Sequence, residues 1–283
     1  MISRLVVVLV LCTSPLAGQQ RLARGMAVDR DVAIRLWVPA GFVEVQGWDR
    51  DSVDVRVTPA AGTTLTGGGS RSAAKFALET TRGDNVLPSA TMRVMVPRGV
   101  RLWIKSTTAN VSVQGVRGEL DVLQVSGSIL IVDGRGVVRA ESIDGNITMN
   151  RVSGALNVRG GAGKIDLGTV SGTLQLSAVS GAVTLGERIN PNVSPSSALV
   201  ANLETVGGEV HIVGRWHPDS RLDITTHDGP VTIVPVSVAL SRVESTVPGA
   251  VIPQALRTAS GAGGVITVRS FKGKLNVVPP SGI

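Results

Sequence analysis

Hydrophobic and polar residues recur in a nine-residue cycle through the middle of the chain. Two and four residues after a repeated glycine the side chain is apolar, as Leu156 and Val158 are after Gly154. The residue between these two is polar in every unit but one, where it is Leu130. The glycine itself returns at every ninth position without a slip, at Gly118, Gly127, Gly136, Gly145, Gly154, Gly163, Gly172 and Gly181. This regularity indicates an internal structural repeat.

Each unit has the pattern of a short, half-buried strand followed by a turn. Side chains alternate between the two faces of a strand, so the two apolar residues share the inward face and the polar residue between them faces solvent. The repeated glycine is predicted at the turn with a positive φ, which a side chain would penalise. Two residues before the glycine the chain is again mostly apolar, as at Val125, Ile143 and Val179, and these residues are predicted to point inward too.

The phase of the repeat continues beyond its perfect block. A stretch with two prolines, residues 187–198, is predicted as a loop. Gly208 then lies 27 residues after Gly181, which is a multiple of nine, and it joins the structural repeat glycines. Later copies follow at Gly229, Gly264 and Gly273.

A single unit cannot bury its apolar residues alone, so copies must stack with each strand paired to an equivalent strand one turn away. Two nine-residue units per turn give a flattened, two-sided stack, and three give a triangular prism. We favour two because the inward set of each unit is small. The sequence therefore predicts an all-β fold, a single-stranded and β-helix-like β-solenoid built on nine-residue repeats over residues 106–283.

The segment ahead of the repeats, residues 26–105, is predicted as an N-terminal β region. Residues 32–36 and 53–57 alternate as strands do, and the glycine-rich stretch at 62–74 is predicted as a loop. An uncovered end of a strand stack exposes unpaired backbone groups. We therefore expect residues 26–105 to cap the solenoid.

Residues 1–18 have the pattern of a secretory signal peptide, with Arg4 ahead of an apolar run from Leu5 to Leu11. This run is shorter than the roughly 20 residues of a permanent membrane helix, and no second run of that length follows. Stable membrane insertion is not expected. Removal of the leader also removes Cys12, the only cysteine, so the mature chain has no disulfide. We expect an exported protein that is periplasmic, secreted or on the cell surface.

The formal charge of +7 favours anionic partners in general. The basic residues look scattered along the chain, with Arg93, Arg98, Arg101 and Lys105 as the densest group. With no tyrosine, four tryptophans and three phenylalanines, few rings are available to stack on bases. The sequence predicts no specific binding to nucleic acid and only weak, salt-screened attraction to anionic surfaces.

Candidate chemistry is sparse, and no catalytic, cofactor-binding or metal-binding residue is predicted. The histidines His211, His217 and His227 have spacings that fit no compact zinc pattern. Calcium-binding nonapeptides need an aspartate at one fixed place, which these units lack. A polysaccharide-acting β-helix enzyme needs clustered carboxylates on one outward face. If turns have two units, Asp121 stacks on Arg139 and no column of equivalent residues places two acids together. We expect no enzyme activity.

Three sequence features resemble the bacterial domain of unknown function numbered 4097, the "putative adhesin" family. These are Gly47-Trp48-Asp49-Arg50-Asp51, the step Val96-Pro97-Arg98-Gly99 into the first repeat, and Val-Ser-Gly at 125–127, 152–154, 170–172 and 179–181. The resemblance covers almost the whole mature chain. It implies a β-solenoid on an exported or envelope protein, and its motifs are structural rather than catalytic.

The function expected from these features is that of a non-catalytic adhesin-like protein or envelope scaffold, whose rows of outward residues contact an envelope or extracellular protein or polymer. The alternative is a periplasmic component of envelope-stress signalling that acts as an interaction platform for a membrane sensor. A polysaccharide-acting enzyme is the third and least favoured hypothesis.

Overall fold

The computed structural model describes residues 22–81, 86–186, 199–213, 221–233, 239–245 and 264–278. Every regular element among these residues is a β-strand, so the all-β prediction is confirmed. The strands are β1 Leu22–Ala27, β2 Ala33–Trp37, β3 Ala40–Trp48, β4 Ser52–Pro59, β5 Thr63–Gly69, β6 Ala73–Thr80, β7 Ser89–Pro97, β8 Arg101–Ser106, β9 Asn110–Gln114, β10 Glu119–Gln124, β11 Ser128–Val132, β12 Arg135–Ser142, β13 Asn146–Asn150, β14 Val152–Gly160, β15 Ile165–Leu167, β16 Val170–Ala178, β17 Val183–Leu185, β18 Leu199–Thr205, β19 Val210–Val213, β20 Arg221–Thr226, β21 Val231–Ile233, β22 Ala239–Ser245, β23 Gly264–Ser270 and β24 Leu275–Val278.

The strands form two sheets of twelve strands each. The first sheet has the order β1-β4-β7-β3-β9-β11-β13-β15-β17-β19-β24-β21, and the second has the order β22-β20-β23-β18-β16-β14-β12-β10-β8-β2-β6-β5. Most neighbours are parallel, while β1, β4 and β7, and likewise β5 and β6, pair antiparallel at one end. Between Glu119 and Leu185 the chain alternates between the sheets, strand by strand.

Paired residues in the repeat block lie 18 residues apart, which is two nine-residue units. Leu120 faces Val138 across the pair β10 and β12, and Leu156 faces Leu174 across β14 and β16. Between β17 and β19 the offset is 27, as between Val183 and Val210, and between β18 and β23 it is 65, as between Leu199 and Gly264. At the offsets of 18 and 27, apolar inward residues stand opposite each other, as Leu156 stands opposite Leu174 and Leu174 opposite Ala201.

The two apolar positions of each unit fill the space between the sheets. All of them in the repeat block are buried, from Leu120 and Val122 to Val183 and Leu185, and they join one continuous core cluster. The residue between the two apolar positions is exposed or half-buried in each unit, except that Thr184 is buried. Burial of apolar groups stabilises a fold by about 0.8 kcal/mol per CH₂ group. This core is therefore the main stabilising term in a sequence whose single cysteine has no second cysteine to pair with.

The repeat glycines are required mainly because neighbouring backbones approach closely. At Gly118, Gly136, Gly154 and Gly172 a Cβ would collide with the carbonyl oxygen of the residue 18 positions earlier, and at Gly127, Gly145, Gly163 and Gly181 the same collision occurs on the other edge. Gly208 is blocked in the same way by Gly181. No side chain fits at these places without moving the next strand.

The prediction of a positive φ is only partly right. Gly154 has φ of 121°, and Gly127, Gly136 and Gly172 are also positive. Gly118, Gly145, Gly163, Gly181 and Gly208 do not have a positive φ, so close approach and not the left-handed conformation explains glycine there.

The order of strands departs from chain order at both ends of the stack. In the second sheet β23 lies between β18 and β20, and in the first sheet β24 lies between β19 and β21. Residues 264–278 therefore separate two segments that precede them in sequence. At the other end β2 and β3 lie between β8 and β9 on one side and β6 and β7 on the other.

The glycine-rich stretch at 62–74, predicted as a loop, is a β-hairpin made by β5 and β6. Gly67 and Gly69 have no room for a Cβ because the backbone of Ala73 and Lys75 lies against them. Glycine therefore permits tight antiparallel pairing at this edge of the second sheet.

Three predicted features lie outside the described residues: the signal peptide at 1–18, the loop at 187–198 and His217. Within the described part, no helical segment has the length and apolar character that a membrane crossing requires.

Candidate functional site

The two long edges of the stack, where the chain passes from one sheet to the other, carry the most distinctive side chains. At several turns of the first edge the chain leaves the second sheet through a small buried polar residue. Ser106, Ser142 and Ser270 are all buried there. The hydroxyl of each accepts a hydrogen bond from the backbone N–H three residues later, at 2.9, 2.9 and 3.1 Å. Such bonds fix a tight turn.

Because this residue points inward, the next one points outward. Val125, Ile143, Val179, Val206 and Phe271 occupy that outward position and are between 43% and 56% exposed. We call these five residues the apolar column. Their predicted inward orientation is wrong for Val125, Ile143 and Val179, whereas Val116, Val152 and Val170 at the opposite edge are buried as predicted.

Backbone hydrogen bonds between successive turns align the apolar column. Asp144 N donates to the carbonyl of Val125 at 2.8 Å, Gly207 N donates to Val179 at 2.8 Å, and Lys272 N donates to Val206 at 2.8 Å. Neighbouring strands are spaced about 4.8 Å apart, so the column extends over roughly 24 Å. Gly161 occupies one rung and leaves a gap. Aligned exposed apolar residues of this kind are typical of interaction surfaces.

The opposite edge, where the chain leaves the first sheet, is strongly basic. A cavity of about 430 Å³ is lined there by four arginines, Arg98, Arg117, Arg135 and Arg151, together with Asp133, Gln46 and Gln114. We call the four arginines and Asp133 the arginine corner. No apolar or aromatic side chain belongs to the lining.

One carboxylate holds one arginine of this corner in place. The Nε and Nη2 atoms of Arg151 donate to the two carboxylate oxygens of Asp133 at 2.6 and 3.0 Å. This hydrogen bonding lowers the pKa of Asp133, so its carboxylate is charged at neutral pH. Asp133 and Arg151 also have positive φ values of 55° and 54°, which cost residues other than glycine about 1 kcal/mol or more each. Gly115 occupies the equivalent place one turn earlier, with φ of 72°.

Arg98 connects the arginine corner to the segments that carry the family resemblance. Its Nε donates to Asp49 at 2.9 Å, and its Nη1 donates to the carbonyl of Gly115 at 3.3 Å. Arg50 lies over the ring of Trp48, 5.0 Å from its centroid. The Gly47 to Asp51 and Val96 to Gly99 segments are thus neighbours in space.

The two described histidines lie at different places. His211 stands on the outward side of β19, where its Nε2 lies 3.2 Å from Glu209. Although burial opposes it, the interaction with His211 lowers the pKa of Glu209, with a further contribution from Lys274. His227 stacks on Phe271 with ring centroids 4.8 Å apart. In the part of the chain that the structure describes, no three His, Cys, Asp or Glu residues converge as metal ligands.

Carboxylates gather around one arginine on the outward face of the second sheet. Asp121 faces Arg139 in the predicted register, and Arg139 Nη1 donates to Glu119 at 2.8 Å. Burial raises the pKa of Asp121; Arg139 opposes the rise, and Glu119 and Glu141 add to it. Within the described residues, the predicted columns through Asp121 and Asp166 place neither acid opposite a second acid, but β10 places Glu119 and Asp121 on the same face. The prediction overlooked this arrangement because it compared columns and not neighbours along a strand.

The arginine corner was also missed by sequence reasoning. Arg117 and Arg135 are 18 residues apart, and so are Asp133 and Arg151. They look scattered in sequence, yet two units per turn bring them together. A search for charged residues at this spacing would have found them.

No protein-family model matches the chain, so the resemblance to the domain numbered 4097 is not confirmed. No curated protein matches either. Among solved structures, a "Putative lipid binding protein" from Parabacteroides distasonis is 10% identical, with a TM-score of 0.52 over 92% of this chain and 98% of its own. A "putative adhesin" from Parabacteroides merdae is 11% identical, with a TM-score of 0.45 over 92% and 97%. A "putative cell adhesion protein" from Clostridium sporogenes is 9% identical, with a TM-score of 0.28 over 92% and 100%. The first of these similarities shows a common fold.

Proposed function

We propose that this chain is a non-catalytic, adhesin-like binding or scaffold protein of the cell envelope or the extracellular space. The observation that carries the proposal is the apolar column, in which five large apolar side chains stand exposed along one edge of the stack. Isolated exposed apolar residues are ordinary, but an aligned row spanning roughly 24 Å is suited to contact with a protein or polymer. The name of the solved structure that shares the fold, a "Putative lipid binding protein", is consistent with binding rather than catalysis.

The fold that supports this function is, in our proposal, the nine-residue β-solenoid of the domain numbered 4097, with residues 26–105 as its cap. The 18-residue offset between paired strands from β8 to β17 supports it, because each turn there repeats the surface of the turn before. The position of β1 and β5 at one end of the two sheets supports the capping role. A repetitive stack that is capped at one end offers an extended binding surface rather than a pocket.

Export is the first testable part of the proposal. A fusion of residues 1–25 to a reporter should cross the inner membrane and be cut near Gln19, because a positive start followed by a short apolar run is recognised as a signal peptide. N-terminal sequencing of the exported reporter checks the cleavage position. A native protein that still begins at Met1 outside the cytoplasm would contradict this pathway.

The apolar column provides the second test. The double substitution Ile143→Ser and Val179→Ser should reduce the capture of envelope components by the immobilised mature protein at least about fivefold, since exposed apolar anchors supply most contact energy at such surfaces. Both side chains are more than half exposed, so folding should be retained. The measurement is the retained amount of envelope material, with the urea midpoint as a check of folding.

The matched control is Val137→Ser with Val200→Ser, two exposed valines on the open face of the second sheet. Capture should be unchanged in this control. Equal loss in both double variants would remove the apolar column as the contact surface. Specific recovery of an inner-membrane sensor would favour the signalling alternative, which otherwise stays a prediction.

A further inference from the structure

We propose that the arginine corner is a binding site for a phosphate group, separate from the apolar column and on the opposite edge of the stack. The ligand is a phosphate monoester or inorganic phosphate, and its site consists of Arg117 and Arg135 assisted by Arg98 and Arg151. The inference goes beyond the proposed function because it rests on another surface and another chemistry.

The arginine corner carries a net positive charge. Four guanidinium groups and the Asp133 carboxylate line the cavity, which gives +3, and Asp49 beside Arg98 lowers the local sum to +2. Arg98 and Arg151 have carboxylate partners at 2.9 and 2.6 Å. Within the described residues, Arg117 and Arg135 have no carboxylate partner. Two guanidinium groups without a direct ion pair therefore line one cavity, with Arg135 also interacting electrostatically with Asp133.

The backbone of the arginine corner has an unusual conformation at two residues. Asp133 and Arg151 both adopt the left-handed conformation, which is costly for residues with a side chain and concentrates at functional sites. Glycine would remove this cost, as Gly115 does one turn earlier. With Asp133 and Arg151 at these positions, a bidentate ion pair between them orients the Arg151 guanidinium towards the cavity.

The lining selects the class of ligand. Arginine presents a planar set of N–H donors that fits phosphate oxygens in pairs. A phosphate monoester carries about −1.5 to −2 charges and three acceptor oxygens at neutral pH, which matches two free guanidinium groups better than a singly charged carboxylate does. The absence of aromatic and apolar side chains from the lining leaves no stacking surface for a base. The cavity volume of about 430 Å³ admits a phosphorylated sugar.

Calorimetric titration at constant ionic strength tests the site. Inorganic phosphate and glucose 6-phosphate should bind the mature protein, and the double variant Arg117→Gln and Arg135→Gln should weaken binding at least about tenfold, because hydrogen bonds between charged groups are lost. The control is Arg159→Gln with Lys272→Gln, which removes the same charge from exposed residues elsewhere. It should weaken binding less than about twofold. Equal losses in both variants, or no binding by the wild type, overturn the proposal.

Two further measurements complete the design. Amide NMR of the wild-type protein during phosphate titration should show shifts confined to the cavity lining at residues 46–47, 98, 114–117, 133–135 and 151, and shifts elsewhere would contradict the site without any variant. Vesicles containing phosphatidic acid, compared with phosphatidylcholine vesicles, distinguish a lipid headgroup from a soluble phosphate. The Ile143→Ser and Val179→Ser protein should retain phosphate affinity, so failure of the apolar column and failure of the phosphate site give different results.

Discussion

Leu156→Asp should lower the free energy of unfolding by about 3 kcal/mol or more, whereas Asn157→Asp should change it by less than about 0.5 kcal/mol. Leu156 is 3% exposed and stands between Val138 and Leu174 on the neighbouring strands. An aspartate there would place a charge without a partner among aliphatic side chains. Asn157 lies between Arg139 and Gln175 on the outward face, where a carboxylate gains a cationic neighbour.

Urea unfolding of the two variants measures this contrast, and amide exchange locates the damage. Strands that pair only with their neighbours pass a defect along the stack, so exchange in β12 and β16 should accelerate before exchange in residues 33–57 does. Equal destabilisation by the adjacent substitutions would mean that inward and outward positions are wrongly assigned.

The sequence was sufficient to predict the alternation within each unit. Inward residues such as Leu156 and outward residues such as Asn157 follow from a local period of two, and the spacing of the glycines set the phase. Residues paired across β14 and β16 lie 18 positions apart, and a turn of two nine-residue units stays our proposal. Gly208 kept this phase after the break because the new strand must place its apolar residues opposite those of the preceding one.

The orientation of residues at the turns could not be predicted in the same way. Val125 and Val152 both stand two residues before a repeat glycine, yet Val125 is exposed and Val152 is buried. The difference arises because the two edges turn differently, and at one edge a buried polar residue such as Ser142 takes the inward place. The signal in the sequence is a polar residue three positions before the glycine at some turns of this edge, as Gln124 is before Gly127 and Ser142 before Gly145, although Gly160 and Ala178 take that place before Gly163 and Gly181.

The order of strands at the ends of the stack was also beyond sequence reasoning. β23 has the same alternating pattern as β18 and β20, so each could pair with either of the others by pattern alone. The position of β23 between them depends on contacts between residues far apart in sequence. The arginine corner likewise could be recognised only once the 18-residue spacing between paired strands was known.

Among glycine-to-alanine substitutions in the repeat block, Gly154→Ala should be the most destabilising, lowering the free energy of unfolding by about 3 kcal/mol. Gly154 has φ of 121°, and a Cβ there would collide with the carbonyl oxygen of Gly136 on the adjoining strand. Both the backbone conformation and the neighbouring strand would have to change, and neither can do so without breaking the ladder that joins β12 to β14.

Two matched alanine substitutions separate these causes. Gly145→Ala keeps an ordinary φ but meets the carbonyl of Gly127, so it should be destabilising through close approach alone, by about 1–3 kcal/mol. Gly68→Ala, on the edge strand β5, meets no atom within 4 Å and should change stability by less than about 0.5 kcal/mol. Urea midpoints of the three variants should show the largest loss of stability for Gly154→Ala, a smaller loss for Gly145→Ala and the smallest for Gly68→Ala. A neutral Gly154→Ala would show that successive turns are not packed backbone against backbone, and the explanation of the nine-residue glycine repeat would then be wrong.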